Sequence, residues 1–183
     1  MACAQPTILV FGDSLSAGYG IPRETAWPTL LQHELQITHP QYQVVNASTS
    51  GETTFGGLHH IDAALQQHQP AIVILELGAN DGLRGANPND IEHNLNELVQ
   101  RCRTAHAKML LLGIQLPPNY GLTYTTQFKA LYAKVAQRNR IAFVPFILAG
   151  ISADQFQADN LHPVAEAQPQ ILRNVLPKLK PLL

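Results

Sequence analysis

Runs of consecutive apolar residues alternate with apolar stripes spaced three and four apart. The first run, Ile8-Leu9-Val10-Phe11, lacks polar alternation and reads as a strand buried on both faces, as inside a parallel sheet. It predicts a strand over Thr7–Phe11, and later runs predict strands at Tyr42–Ala47, Ala71–Leu77, Met109–Ile114 and Ile141–Val144. Trp27, Leu31 and Leu35 recur at i, i+4, i+8 and predict a helix over 26–36, with Pro28 tolerated in its first turn. Leu58, Ile61 and Leu65 mark a second helix, with Thr53 or Thr54 as its N-cap. Asn87-Pro88 caps and starts a third, whose buried face is Ile91, Leu95, Leu98 and Cys102. Phe128, Leu131, Tyr132 and Val135 give a fourth. A long loop, Pro145–His162, leads to Pro163, which is expected to open a last helix carrying Ile171, Leu172, Val175 and Leu176. Pro169 should kink that helix or delay its start.

Five strand–helix alternations imply a parallel sheet with helices on both faces, a three-layer α/β/α arrangement. The flavodoxin-like strand order 2-1-3-4-5 is the simplest solution, in one domain spanning 1–183. That order puts strand one between strands two and three, so the loops after those two strands flank the end of strand one. Strand one runs directly into Gly12-Asp13-Ser14-Leu15-Ser16. Gly12 is expected to let the chain turn sharply, and Ser14 then stands at the C-terminal edge, where open α/β sheets build their sites.

Composition narrows the chemistry. With 45% apolar and 14% charged residues and a net charge of −1, the 183-residue chain can bury a core and carries no basic block for nucleic acid or an anionic membrane surface. No apolar run approaches the roughly 20 residues of a membrane span. Cys3 and Cys102 are too few for a disulfide framework and lack metal-ligand spacing. Met1-Ala2-Cys3-Ala4 reads either as the stub of a trimmed leader or as a natural start.

The loop after strand two holds Gly51 and the loop after strand three holds Asn80. A Gly51 N–H, an Asn80 side-chain amide and the Ser14 N–H can point three donors at one spot, as an oxyanion hole requires. Each residue also has a plainer reading, Gly51 as a turn glycine and Asn80 as a cap. Of eight histidines, seven lie on or beside predicted helices, whereas His162 ends the long loop after strand five. Asp159, three residues earlier, can hold a carboxylate against the imidazole Nδ1 and leave Nε2 for a serine. The plainer reading makes Asp159 a helix cap and His162 a surface residue. Strand five lies three strand spacings from strand one, roughly 14 Å at about 4.8 Å each, which a loop of this length can span.

Gly12-Asp13-Ser14-Leu15-Ser16, Asn46-Ala47-Ser48 leading to Gly51, Gly78-Ala79-Asn80-Asp81, and Asp159-Asn160-Leu161-His162-Pro163 together resemble the four blocks of the GDSL/SGNH hydrolases, in the family's order. Ala26-Trp27-Pro28, Asn80–Gly85, Leu116–Gly121 and Ala167-Gln168-Pro169 add a likeness to its bacterial thioesterase, lysophospholipase and arylesterase branch. Ala79 stands where the family usually has a second glycine. The resemblance implies a catalytic Ser14–His162–Asp159 triad, an oxyanion hole from Ser14, Gly51 and Asn80, and no metal or cofactor. It also implies export to the periplasm or beyond.

Other chemistries fit less well. Gly12-x-Ser14-x-Ser16 is not the Gly-x-Ser-x-Gly elbow, His33-Glu34 lacks a histidine at the zinc-helix spacing, and no phosphate-binding glycine loop follows strand one. The expected reaction is acyl transfer from a small ester or thioester to water. The rivals are a carbohydrate acetylesterase on the same scaffold and a non-catalytic flavodoxin-like binding module. The chain is expected to act as a monomer. The acyl chain is expected between a stiff wall of Gln115, Leu116 and Pro117 and a glycine-bracketed, movable flap at Leu83 and Arg84. Leu116 can equally tuck into the core beneath its loop.

Overall fold

The computed structural model describes residues 5–183; Cys3 and the Met1–Ala4 segment lie outside them. Five parallel strands, β1 (Thr7–Gly12), β2 (Gln43–Asn46), β3 (Ile72–Glu76), β4 (Lys108–Leu112) and β5 (Ala142–Val144), form one sheet in the order β2-β1-β3-β4-β5. The predicted order is therefore the observed one. β1 is an interior strand and its apolar run fits that place: Ile8, Leu9 and Val10 are fully buried and pair with Val44, Val45 and Asn46 on one side and with Ile72, Val73 and Ile74 on the other.

Among the described residues, seven α-helices accompany the sheet: α1 (Ser14–Ala17), α2 (Trp27–Thr38), α3 (Thr54–His68), α4 (Ala79–Leu83), α5 (Pro88–Thr104), α6 (Leu122–Asn139) and α7 (Gln168–Leu179). α2 packs on α7, while α3, α5 and α6 form a row, giving the three-layer α/β/α architecture. Most residues of the predicted stripes are buried: Leu31 and Leu35 on α2, Ile61 and Leu65 on α3, Ile91, Leu95, Leu98 and Cys102 on α5, Phe128, Leu131, Tyr132 and Val135 on α6, and Ile171 and Val175 on α7, while Leu58, Leu172 and Leu176 are partly buried. Thr53, not Thr54, caps α3 by accepting from the Gly56 N–H, and Asn87 caps α5. Burial pushes the Cys102 thiol up to about 12, as befits a packing residue.

Three local expectations need correction. Gly12 does not turn the chain; it is the last residue of β1, and a Cβ there would stand 2.7 Å from Glu76 Oε2 and 3.0 Å from Ser16 Oγ. Pro163 does not open the last helix. It bridges back to Phe156, a 3₁₀ turn covers Ala165–Ala167, and α7 starts at Gln168 with Pro169 in its first turn. Proline delays the helix because its fixed φ suits the first turn and its missing N–H costs nothing there. The segments of α1 and α4 are helical rather than loop; neither is long enough to show an apolar stripe in the sequence.

Candidate active site

Each strand of the β2-β1-β3 trio ends in a turn that the sequence fixes locally. After β1, the Asp13 carboxylate accepts from the Leu15 N–H at 3.0 Å, and this cap turns the chain into α1 with Ser14 as its first residue. After β2, Asn46 donates to the Ser16 carbonyl at 2.7 Å and accepts from the Ser48 N–H at 3.2 Å. The loop beyond β2 is thereby tied to the serine turn. Gly51 in that loop has φ +82°, which glycine adopts without penalty, and open space where a Cβ would stand. After β3, Gly78 has φ +119°, and a Cβ on it would lie 2.3 Å from the Tyr132 hydroxyl. Both facts require glycine.

The loop after β5 carries Asp159 and His162. Asp159 Oδ1 accepts from the N–H groups of Leu161 and His162 at 2.9 and 3.0 Å, and Asn160 takes a left-handed φ of 56° that asparagine tolerates. The turn is clamped by Gln157 N–H to the His162 carbonyl at 2.8 Å and by Val164 N–H to the Gln155 carbonyl at 2.9 Å. Within it, Asp159 Oδ2 lies 2.7 Å from His162 Nδ1. The opposite ring nitrogen, Nε2, lies 2.8 Å from Ser14 Oγ. Partial burial works against the Asp159 charge, but the His162 backbone and ring N–H groups and the Leu161 N–H outweigh it and hold its carboxyl down at about 2. Asp159 is thus a carboxylate that only accepts hydrogen bonds, which favours the tautomer with the proton on His162 Nδ1 and a free Nε2 facing the serine.

Ser14, Gly51 and Asn80 line one cavity of about 250 Å³ together with His162. Among the described residues, no acceptor takes the N–H of Ser14 or of Gly51. The Asn80 amide donates to the Glu52 carbonyl at 2.9 Å and, at a longer 3.3 Å, to Asp13 Oδ2. The neighbouring acid, Asp81, faces away from the cavity and accepts from the Thr54 N–H and hydroxyl at 2.9 and 2.6 Å. Leu83, Gln115, Leu116 and Pro117 also line the cavity. Arg84 does not; it is exposed and its guanidinium reaches the Gly51 carbonyl at 3.4 Å. Its charge draws it to solvent and to an acceptor on the rim rather than into an apolar wall. The glycine-bracketed segment is held as well: the Tyr120 hydroxyl donates to the Leu83 carbonyl at 3.1 Å and the Tyr124 hydroxyl to the Ala86 carbonyl at 2.7 Å.

The profile of the GDSL-like Lipase/Acylhydrolase family matches residues 10–168, which span every one of these groups. The chain belongs to that family. It is therefore a carboxylic-ester hydrolase. This GDSL-like hydrolase is 49% identical over 182 residues to esterase TesA of Pseudomonas aeruginosa, across 98% of this chain and 90% of that protein. It is 42% identical over 184 residues to thioesterase 1/protease 1/lysophospholipase L1 of Escherichia coli K12, across 100% of this chain and 87% of that protein. The crystal structure of TesA superposes on it with a TM-score of 0.92 at 48% identity, covering 97% of this chain and 99% of that one.

Several cavity residues of the GDSL-like hydrolase carry no sequence signal. Tyr19 packs its ring against His162 with centroids 4.6 Å apart, and Ile114, Leu148 and Leu161 complete the apolar lining. An apolar side chain in a loop has no periodicity to betray it. Ser16 and Glu76 escape sequence reasoning for another reason. Ser16 reads as a second polar residue of a turn and Glu76 as the polar end of a strand, yet both are fully buried beneath Ser14.

Proposed function

We propose that this chain hydrolyses acyl esters and thioesters, including aryl and lysophospholipid-type esters, with Ser14 as nucleophile and a Ser14–His162–Asp159 triad. The observation that carries the reading is the pair of short contacts on one imidazole, 2.8 Å to Ser14 Oγ and 2.7 Å to Asp159 Oδ2, at the mouth of an apolar cavity. His162 Nε2 takes the Ser14 proton as Oγ attacks the carbonyl carbon, and Asp159 steadies the imidazolium that forms. The negative oxygen is received by the N–H groups of Ser14 and Gly51 and by Asn80. Asn80 keeps its 2.9 Å bond to the Glu52 carbonyl and turns its more weakly held hydrogen, 3.3 Å from Asp13, to the oxyanion. His162 then protonates the leaving alcohol or thiol, activates water and returns the proton to Ser14. Every proton in this cycle is carried by a protein group or by water.

The walls favour a fatty acyl chain over an acetylated sugar. Ile114, Leu116, Pro117, Leu148 and Leu161 are apolar and offer no ring of side-chain donors for hydroxyls. Export to the periplasm or beyond belongs to the same reading; what supports it is the family branch that the sequence resembles. The test is a hydrolysis panel of acyl thioesters, aryl esters, lysophospholipids and acetylated sugars, with wild type beside Ser14→Ala, and mass spectrometry of the alkyl-phosphonate adduct. Acyl substrates should be turned over, Ser14 should carry the phosphonate, and Ser14→Ala should lose hydrolysis while melting as wild type does. Labelling at Ser16, Ser48 or Ser50, or turnover of acetylated sugars alone, would overturn the assignment.

A further inference from the structure

Beneath the Ser14 turn lies a group that the proposed reaction does not use. Glu76 ends β3 with no exposure to solvent, and Asp13 beside it is equally buried. Glu76 Oε2 accepts from the Ser16 hydroxyl at 2.7 Å and from the Asp13 N–H at 3.3 Å. Among the described residues, Oε1 has no donor in contact with it. The backbone is shaped around this carboxyl, since Gly12 has no room for a Cβ against Glu76 Oε2. No cation among the described residues balances it: the charged group acting on Glu76 is Asp13, while Asp13 itself feels Glu76, His162 and Asp81.

An ionised glutamate so placed would be a buried charge with one bare oxygen, next to a second carboxylate, and that is a costly arrangement. A protonated one resolves every element of the problem. Its O–H, on the bare Oε1, is free to donate to the carboxyl of the neighbouring Asp13, whose backbone N–H already meets Oε2. Its other oxygen still accepts from Ser16 and from the Asp13 N–H. Asp13, so held, spends Oδ1 on the Leu15 N–H and Oδ2 on the Asn80 amide. One neutral carboxyl therefore braces the turn that carries the nucleophile and, in the resting site, aims the Asn80 hydrogen that passes to the oxyanion.

We propose that Glu76 works as a neutral carboxylic acid, a positioning residue that acts through Asp13 and Ser16 to hold Ser14 and Asn80 in register. The inference rests on the roles given above to Ser14 and Asn80. Electrostatics point the same way. Burial and the neighbouring Asp13 push the Glu76 carboxyl well above its usual range, while burial, opposed by the Leu15 N–H, takes Asp13 only to about 6. With one proton shared, the pair carries a single negative charge at neutral pH. Two would oppose the oxyanion that Asn80 receives.

The experiment compares wild type, Glu76→Gln and Glu76→Leu. Glutamine is the uncharged isostere: its NH₂ donates to Asp13 and its carbonyl accepts from Ser16 and the Asp13 N–H. It should retain kcat to within about threefold. Leucine fills the space with neither group, and kcat should fall by about tenfold or more while KM moves less than about threefold, because the bond to the oxyanion is made in the transition state. The wild type minus Glu76→Gln infrared difference spectrum at neutral pH should show the carbonyl stretch of a protonated carboxylic acid. Carboxylate bands in its place, a Glu76→Gln variant as impaired as Glu76→Leu, or an unimpaired Glu76→Leu would each overturn the proposal. If Glu76→Leu fails to fold, the glutamine variant and the infrared spectrum decide it. Phosphonate labelling of wild-type Ser14, run alongside, separates a failure of this inference from a failure of the catalytic reading, because the infrared result does not depend on Ser14.

Discussion

At the residue scale, carboxylates of similar chemistry stand near the serine with different environments. Asp159 is exposed, strongly hydrogen-bonded and held low at about 2; Asp13 is buried and raised to about 6; Asp81 is occupied by Thr54. Only Asp159 touches the imidazole. Asp159→Asn should therefore lower kcat by orders of magnitude more than Asp81→Asn, measured at matched melting temperature, because a neutral amide favours the wrong tautomer of His162. The reverse ranking would remove Asp159 from the proposed triad. Asn80→Ala should cost about 10²–10³ in kcat with little change in KM, as for the loss of one oxyanion donor. A rise confined to KM would make Asn80 a ground-state binding residue. Ser14 stands out in the sequence because it follows a buried strand directly, and Asp159 and His162 because they lie three residues apart at the end of a long loop. The glutamate beneath them is not, since burial of a polar strand end depends on what the next strand and the Gly12 backbone leave open.

At the scale of elements, the strands and long helices are readable from periodicity alone, and β1 and β3 most plainly, because runs buried on both faces need no alternation. The start of the last helix is harder to read because two prolines compete for it. Pro163 has the extended conformation of a bridge to Phe156, and Pro169 has the first-turn position. The β4–α6 connection belongs to this scale too. Leu116 is half-buried, packs against the core and also lines the cavity. Its δ carbon lies 2.8 Å from where a Cβ on Gly82 would stand, which joins that wall to α4. Each buried methylene is worth about 0.8 kcal/mol, so kcat/KM should rise with acyl length until the cavity is filled. Leu116→Ala should flatten that rise for medium and long chains and spare acetyl esters. Equal loss at every chain length would deny Leu116 a place against the substrate.

At the scale of the whole molecule, the buried acids set how the fold responds to pH. The ordinary carboxyl of Asp13 titrates near 3.8, and the folded one at about 6. Between those values the folded chain holds a proton that the unfolded chain has released, so this group's contribution to stability falls as pH rises through that window. Asp159 works in the opposite sense: its depressed pKa favours the fold above about pH 4, and that contribution is lost as pH falls toward 2. Melting temperatures of wild type and Asp13→Asn, followed from pH 4 to 7, should show a steeper decline with rising pH in wild type. Parallel curves would mean that Asp13 titrates normally. The chain order of the site has a mechanical result as well. His162 and its acid are three residues apart in one clamped turn, while His162 and Ser14 are 148 apart. The first distance is set by a local turn and travels with it; the second is a tolerance stacked up across β1, β5 and the α2–α7 layer, where the buried Trp27 N–H meets Gln168 Oε1 at 3.1 Å. Small misfits anywhere in that stack accumulate at a single gap, between the imidazole and the serine oxygen, which makes that gap the dimension the rest of the architecture has to hold.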